Sequence, residues 1–145
     1  MTIAVDFDGT IVTHAYPAIG KELPGAIDTL KRLQSEGHRL ILWTVREGKL
    51  LDEAVEYCRN RGLEFFSVNE NYTGEIPQTP DGERMACRKL NADIYIDDRN
   101  LGGFPGWEAI CRMLTERMNY SQYYAYLTKG ADPVKRPSIW KRFFD

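Results

Sequence analysis

The sequence predicts an α/β fold with a mainly parallel central sheet. Short apolar runs alternate along the chain with longer segments in which apolar residues recur at helical spacing. Glycine and proline punctuate the boundaries between several of these segments. Alternation of strands and helices implies parallel strands joined by right-handed crossovers, with helices on both faces. We therefore expect one three-layer α/β/α domain of the Rossmann-like type.

The first half of the chain supplies three strands and two helices. An apolar strand covers residues 3–5, and a helix that opens near Pro24 stops at Gly37. The second strand covers 40–44, a second helix ends at Gly62, and residues 63–68 form a third strand. The apolar positions that carry the two helices are Ala26, Ile27, Leu30 and Leu33 in the first and Leu51, Ala54, Val55 and Cys58 in the second.

The second half begins with a polar loop over 69–80, which glycine and proline interrupt. A helix over 82–90 leads into a fourth strand at 93–97. A further helix is marked by Trp107, Ile110, Cys111 and Leu114. The extension 120–145 interleaves aromatic with basic residues, and we expect its aromatic rings to pack against the sheet or another subunit.

Composition is typical of a soluble globular domain of 145 residues, with 43% hydrophobic and 28% charged residues. The net charge of −2 gives no general attraction to nucleic acid or other polyanions. The sequence has no apolar stretch near the ~20 residues that span a bilayer, and it enters a strand without a signal-like segment. A cytoplasmic protein with no membrane partner is expected. Three widely spaced cysteines indicate neither a disulfide framework nor a zinc site.

Asp6 and Asp8 follow the apolar run 3–5 at the predicted end of the first strand. Alternate side chains share one face of a strand, so the two carboxylates would point the same way and repel each other. A hard divalent cation bound by carboxylate and backbone oxygens would neutralise them. A solvated Asp-Gly turn would explain Asp8-Gly9 alone equally well. The pair by itself leaves a magnesium site and a turn as alternatives.

A second acidic pair, Asp97 and Asp98, closes the predicted fourth strand, and Thr44 closes the second. Open parallel sheets bind ligands at the carboxyl ends of their strands, near the point where the strand order reverses. We therefore expect both acidic pairs and the Thr44 hydroxyl to meet at one edge of the sheet. Arg46, two positions beyond Thr44, would either contact a substrate phosphate or balance a nearby carboxylate.

In their order along the chain, the motifs Asp6-Phe7-Asp8-Gly9-Thr10, Thr44, Lys89 and Asp97-Asp98 resemble those of the haloacid dehalogenase superfamily, in particular its capless phosphatases with an aspartate nucleophile. The resemblance runs from about Thr2 to Leu101. It implies that Asp6 is the nucleophile, that Asp8 is the general acid/base, and that Mg²⁺ is the cofactor. It also implies that the ion is held by Asp6, by the backbone carbonyl of Asp8, and by the Asp97-Asp98 pair, whose division of labour stays open.

The same resemblance implies that Thr44 and a lysine bind the phosphoryl oxygens of a phosphorylated substrate. Of the two adjoining cations Arg88 and Lys89, we prefer Lys89 for this role. The gap after the first motif, Ile11–Leu23, accommodates a flap but no cap domain. By the same resemblance, an open site of this kind is expected to serve bulky phosphorylated substrates, or to belong to a homo-oligomer in which a neighbouring subunit supplies the lid.

Two noncatalytic functions remain as alternatives. A signalling receiver also accepts a phosphoryl group with carboxylates, Mg²⁺, a threonine and a lysine, but its acceptor usually follows the third strand, where Val68-Asn69 supplies no carboxylate. A module that binds phosphate or nucleic acid would explain the basic and aromatic extension. It would leave the acidic residues without a use. The sequence therefore favours a magnesium-dependent phosphomonoesterase whose substrate it does not identify.

Overall fold

The computed structural model describes residues 1–75 and 89–129. In these ranges the chain forms four strands and four helices. The strands are β1 (Thr2–Val5), β2 (Arg39–Leu42), β3 (Ser67–Val68) and β4 (Ile94–Ile96), and the helices are α1 (Ala26–Ser35), α2 (Gly48–Arg59), α3 (Trp107–Thr115) and α4 (Tyr120–Lys129). Neighbouring strands are parallel, in the order β3-β2-β1-β4. A parallel sheet flanked by helices confirms the predicted Rossmann-like α/β fold.

The two predicted helix stops at glycine are confirmed, and both have the same geometry. Gly37 and Gly62 have φ values of 86° and 74°, in the left-handed region that glycine enters without a steric penalty. The N–H after each glycine donates to a carbonyl five residues earlier, His38 to Leu33 and Leu63 to Cys58, both at 3.1 Å. These bonds satisfy free carbonyls at the ends of α1 and α2 and turn the chain toward the next strand.

Two strands are shorter than the sequence pattern predicts. The second strand ends at Leu42 rather than at 44, and the third covers only Ser67–Val68 of the predicted 63–68. Leu63 is fully buried, but its backbone N–H closes the turn after α2 and therefore does not join the sheet. The predicted strand at 63–68 is therefore confirmed only at its end, where Ser67–Val68 pairs with β2.

The two faces of the sheet pack different parts of the chain. Ile3, Val5 and Leu42 lie in a large buried cluster with residues of α1, α2 and α3. Ala4 and Ile41 point to the opposite face, where they form a smaller cluster with Leu90. This division follows from the alternation of side chains along β1 and β2. The helix predicted at 82–90 lies outside the described residues up to position 88.

The strand order reverses between β1 and β4. The chain runs from β1 outward through β2 to β3 and then returns to place β4 on the other side of β1. Val5 pairs with Leu42 on one side and with Ile96 on the other, so the carboxyl ends of three strands lie side by side. The Asp6 N–H donates to the Ile96 carbonyl at 2.9 Å, which ties the first residue beyond β1 to the last residue of β4. This edge is the position at which open α/β sheets bind ligands.

The predicted C-terminal extension begins with α4, which packs against α3. The Arg112 guanidinium lies over the Tyr126 ring, 4.8 Å from its centroid, whereas Tyr120 and Tyr124 are exposed. The remainder of the extension, residues 130–145, lies outside the described residues. Over the part of the chain that the structure describes, no helix combines the length and the apolar character needed to cross a bilayer.

Candidate active site

A tight turn follows β1 and separates the two carboxylates of the first motif. The strand ends at Val5, and the Phe7 carbonyl then accepts hydrogen bonds from the N–H groups of Ile11 and Val12 at 2.9 and 3.1 Å. The side-chain alternation expected for a strand therefore does not apply to Asp6 and Asp8. Each of the two carboxylates has its own set of partners.

Asp6 belongs to an acidic cluster with Asp97 and Asp98, which follow β4. One carboxylate oxygen of each residue lies within 4.8 Å of the others. The buried Thr10 hydroxyl connects the two sides of this cluster, because it donates to Asp6 Oδ2 at 3.1 Å and accepts from the Asp98 N–H at 3.0 Å. The Trp107 indole N–H in turn donates to the Thr10 carbonyl at 2.7 Å, so α3 holds the turn in place.

The acidic cluster has more negative charge than its neighbours neutralise. The pKa of Asp6 is raised from its ordinary value of 3.8 to about 6, mainly by burial and also by the charges of Asp97 and Asp98, against hydrogen bonds from Phe7 and Thr10 that lower it. Asp98 Oδ1 is buried and has no hydrogen-bond partner among the residues that the structure describes. Converging carboxylates with an unpartnered oxygen are the ligands that a hard divalent cation prefers, so the site fits Mg²⁺.

Asp8, in contrast, forms a buried ion pair with Arg46. Arg46 Nε and Nη2 donate to the two Asp8 oxygens at 2.7 Å each, and the Arg46 side chain is fully buried. Its remaining donors reach the carbonyls of Pro17 and Ala18 at 3.0 and 2.8 Å. The hydrogen bond to Asp8 raises the pKa of Arg46 above its ordinary value. Of the two interpretations that the sequence left open for Arg46, the structure shows the one in which it balances a carboxylate.

This pairing bears on two of the sequence predictions. Of the four aspartates predicted to hold metal, three bring their carboxylates together. Asp8 was predicted to bind through its backbone carbonyl, and its side chain faces Arg46. Arg46 was predicted to bind substrate phosphate. In the structure its guanidinium is committed to Asp8 and to the backbone at 17–18, so contact with a phosphate would require it to leave those partners.

The segment 11–23 forms the expected flap as an antiparallel hairpin. The Thr13 N–H donates to the Lys21 carbonyl and the Leu23 N–H to the Ile11 carbonyl, both at 2.8 Å. This hairpin brings His14 to the acidic cluster, where its Nε2 lies 2.8 Å from Asp98 Oδ2. His14 stands just beyond the first acidic motif in the sequence, and its side chain is 52% exposed.

The two residues predicted to bind phosphoryl oxygens lie in different surroundings. Thr44 is half-buried just beyond β2, where its N–H donates to Asn69 Oδ1 at 2.8 Å and its hydroxyl accepts the Arg46 N–H at 3.2 Å. Lys89 is exposed, and its ammonium lies over the Tyr95 ring at 4.7 Å, beside the smaller core cluster. The adjoining Arg88 lies outside the described residues.

Three residues that organise this site were not assigned a role from the sequence: Thr10, Asn69 and Trp107. Thr10 sits inside the first acidic motif, so its position was a signal that could have identified it. From the sequence, Trp107 was predicted only to lie on the apolar face of a helix, because its hydrogen bond to a residue 97 positions away leaves no local pattern. Asn69 has φ 55° directly after β3, which suits the left-handed conformation that asparagine tolerates.

Comparisons with known proteins include an extensive match. A conserved protein from Bacteroides thetaiotaomicron has a solved structure with 57% sequence identity and a TM-score of 0.75, covering 83% of this chain and 94% of that chain. The D,D-heptose 1,7-bisphosphate phosphatase from B. bronchiseptica, solved with magnesium and phosphate, has 20% identity and a TM-score of 0.39 over 61% of this chain and 55% of that chain. No family model and no curated protein match the chain.

Proposed function

The chain belongs to the family of the conserved Bacteroides thetaiotaomicron protein, and from the site that its own residues build we propose that it is a magnesium-dependent phosphohydrolase. It would hydrolyse phosphomonoesters through an aspartyl-phosphate formed on Asp6. This assignment combines the ordered motifs, which resemble the haloacid dehalogenase phosphatases, with the acidic cluster at the carboxyl ends of β1 and β4.

The observation that carries the proposal is the uncompensated charge of Asp6, Asp97 and Asp98. Three carboxylates converge within 4.8 Å, and one of their oxygens is buried without a partner in the described residues. Such an arrangement costs stability unless a cation joins it. Asp6, the Asp8 carbonyl and the Asp97-Asp98 pair would hold Mg²⁺, which when bound offsets the negative charge of a phosphoryl group.

Asp6 is the proposed nucleophile because its carboxylate lies beside the other acids and is oriented by the Thr10 hydroxyl. One Asp6 oxygen would form a bond to phosphorus as the bond from phosphorus to the leaving oxygen breaks. Water would then attack the phosphorus of the aspartyl-phosphate, release inorganic phosphate and restore the carboxylate. Thr44 would donate its hydroxyl to a phosphoryl oxygen, and Lys89 is proposed as a second contact, which requires its ammonium to leave the Tyr95 ring.

Asp8 is proposed to move the protons of the reaction, giving one to the leaving oxygen and taking one from the attacking water. Arg46 fixes the orientation of its carboxylate through two hydrogen bonds. Each proton transfer would therefore require an Asp8 oxygen to share or exchange its bond to Arg46. Substrates whose leaving groups need little protonation should react more readily than simple alkyl phosphates.

The direct test measures phosphate release from an aryl phosphate with and without Mg²⁺, in the wild type, in Asp6→Asn and in Asp52→Asn. Asp52 is an exposed carboxylate on α2 and serves as the matched control. We expect Mg²⁺-dependent release in the wild type and in Asp52→Asn, and a loss of at least about 10³-fold in Asp6→Asn. Acid-quenched wild type should carry phosphate on Asp6.

Full turnover in Asp6→Asn, or phosphate trapped on another residue, would overturn the proposal. Stable labelling of Asp6 without release of phosphate would instead identify a phosphoryl-accepting module. A panel of sugar phosphates, nucleotides, phosphopeptides and phosphorylated polynucleotide ends would then define the leaving group that the site accepts.

A further inference from the structure

We propose that His14 is a positioning residue, which acts through Asp98 to hold the divalent cation and couples that site to the flap. The inference rests on the proposed magnesium-dependent function and adds a residue from outside its acidic motifs. His14 lies 84 positions before Asp98 in the chain, and the flap 11–23 is what brings the two side chains together.

The two oxygens of Asp98 have different surroundings. Oδ2 lies 2.8 Å from His14 Nε2, whereas Oδ1 is buried and lacks a hydrogen-bond partner within the described ranges. A carboxylate only accepts hydrogen bonds, so the His14 nitrogen must be the donor. His14 therefore fixes the carboxylate through one oxygen and leaves the other oriented for a cation. Partners of this kind, one step removed from the metal, set the orientation of the ligand.

The turn after β1 is shaped to allow this contact. A Cβ atom on Gly9 would lie 2.3 Å from His14 Nε2 and 2.5 Å from Asp98 Oδ2, which is closer than any real Cβ contact. Gly9 also has φ 93°, in the region that favours glycine. Gly9 therefore leaves the space in which the imidazole and the carboxylate meet, and a side chain at this position would separate them.

The flap itself is built to deliver His14. A Cβ atom on Gly20 would lie 1.9 Å from the Thr13 carbonyl oxygen, so a glycine there permits the two arms of the hairpin to approach. The Lys21 N–H donates to the Thr13 hydroxyl at 3.0 Å, directly beside His14. Arg46 anchors the tip of the same hairpin through the carbonyls of Pro17 and Ala18. His14 thus projects from a braced hairpin rather than from an unsupported loop.

A hydrogen bond between partly exposed side chains adds little to the stability of the fold. His14 is 52% exposed and Asp98 18% exposed, so the consequence of their contact lies in the orientation of Asp98. Coupling is also reciprocal: if the flap contact strengthens cation binding, the cation must strengthen the docking of the flap to the same degree. The affinity for the cation and the protection of the flap amides from hydrogen exchange should therefore change together.

The experiment titrates the full chain with Mg²⁺, and separately with Mn²⁺, by calorimetry. The variants are His14→Ala, His14→Gln, which keeps a donor, and His38→Gln. His38 is the matched control because it contacts the Met1 amino group at the opposite end of the sheet. We expect His14→Ala to lose about 10- to 100-fold in affinity, His14→Gln to lose less, and His38→Gln to retain wild-type affinity.

Hydrogen exchange of the flap amides provides the second measurement. Mg²⁺ should slow exchange over residues 13–21 in the wild type and have a smaller effect in His14→Ala. Thermal unfolding without cation is the control that both proteins are folded. Wild-type or tighter affinity in His14→Ala would overturn the role of His14 and leave the proposed function intact. A wild-type protein that binds neither cation would overturn the magnesium-dependent function as well.

Discussion

Asp6 and Asp8 are separated by a single residue, yet the fold compensates their charges in different ways. Asp8 lies against the fully buried Arg46, which donates to both of its oxygens. Asp6 lies instead beside Asp97 and Asp98, and burial together with their negative charges raises its pKa to about 6. The protein itself neutralises the Asp8 carboxylate, whereas the charge of the Asp6 carboxylate is left for a bound ligand to neutralise.

This difference separates the structural part of the motif from the part that awaits a ligand. A buried carboxylate with a bidentate arginine partner is satisfied, and its partner here also braces the flap through the carbonyls of Pro17 and Ala18. The charge of a partly buried carboxylate beside two others is neutralised by a proton or a cation. The predictions below disturb the two carboxylates separately, beginning with the largest expected effect.

Replacing Arg46 by methionine should destabilise the protein by about 3–5 kcal/mol, because Asp8 would then be a buried charge without its partner. Urea unfolding gives the free energy of unfolding. Arg59→Met is the matched control: Arg59 pairs with Glu56 at 3.0 Å on the surface, where such pairs contribute about 0–1 kcal/mol.

A double variant tests whether the loss of stability in Arg46→Met comes from the Asp8 charge that is left without its partner. Asp8→Asn combined with Arg46→Met removes both charges, so it should be more stable than the sum of the two single effects predicts. A small effect of Arg46→Met, similar to that of Arg59→Met, would contradict the structural role of the pair. Additive single effects would show that Arg46 acts through the flap rather than through Asp8.

The sequence predicted the sheet well because the signals for it are local. Apolar runs marked all four strands, and Gly37 and Gly62 marked the ends of two helices through conformations that only glycine adopts freely. The overlong third strand shows the limit of that signal. An apolar run records burial, and Leu63 is buried without joining the sheet.

The candidate site was predicted less completely, because its decisive contacts join distant parts of the chain. The acidic cluster could be expected, since carboxyl ends of parallel strands meet at one edge of a sheet. The sequence left open whether Arg46 balances a carboxylate and did not identify Asp8 as its partner, since the two residues lie 38 positions apart and the orientation of Arg46 depends on the flap. The contacts of His14 and Trp107 could not be expected either, because neither residue lies in a sequence pattern that reveals its polar contact.

Asp6→Asn should stabilise the cation-free protein near neutral pH by about 1–2 kcal/mol, a value reduced for partial exposure. The folded-state pKa of Asp6, about 6, lies above its ordinary value of 3.8, so between these values the folded state binds more protons than the unfolded state. The contribution of Asp6 to stability is therefore fully present below pH 3.8. It is lost as the pH rises through 6.

The free energy of unfolding is measured for the wild type and for Asp6→Asn in the presence of a chelator. The pH range runs from about 3.5 to about 8, because these limits bracket the expected change. The difference between the two proteins should favour the variant increasingly up to about pH 6 and then level off. Added Mg²⁺ should reverse the order, because it stabilises the wild type more. Asp52→Asn, an exposed carboxylate, should show neither effect. A pH-independent difference would contradict the assignment of a raised pKa to Asp6.

The smallest expected effect concerns Thr10, the hydroxyl that touches both sides of the acidic cluster. Thr10→Val keeps the shape of this buried side chain but removes the donor to Asp6 and the acceptor of the Asp98 N–H. The hydrogen bond from Thr10 lowers the pKa of Asp6, so its loss should raise that pKa above its wild-type value of about 6. The variant should also lose about 1 kcal/mol of stability. Carboxyl NMR titration of the cation-free protein measures the first effect, and Thr10→Ser, which keeps the hydroxyl, should stay close to the wild-type pKa. If Thr10→Val leaves the pKa unchanged, then burial and the neighbouring acids alone set the charge of Asp6, and the turn after β1 shapes the cluster without tuning it.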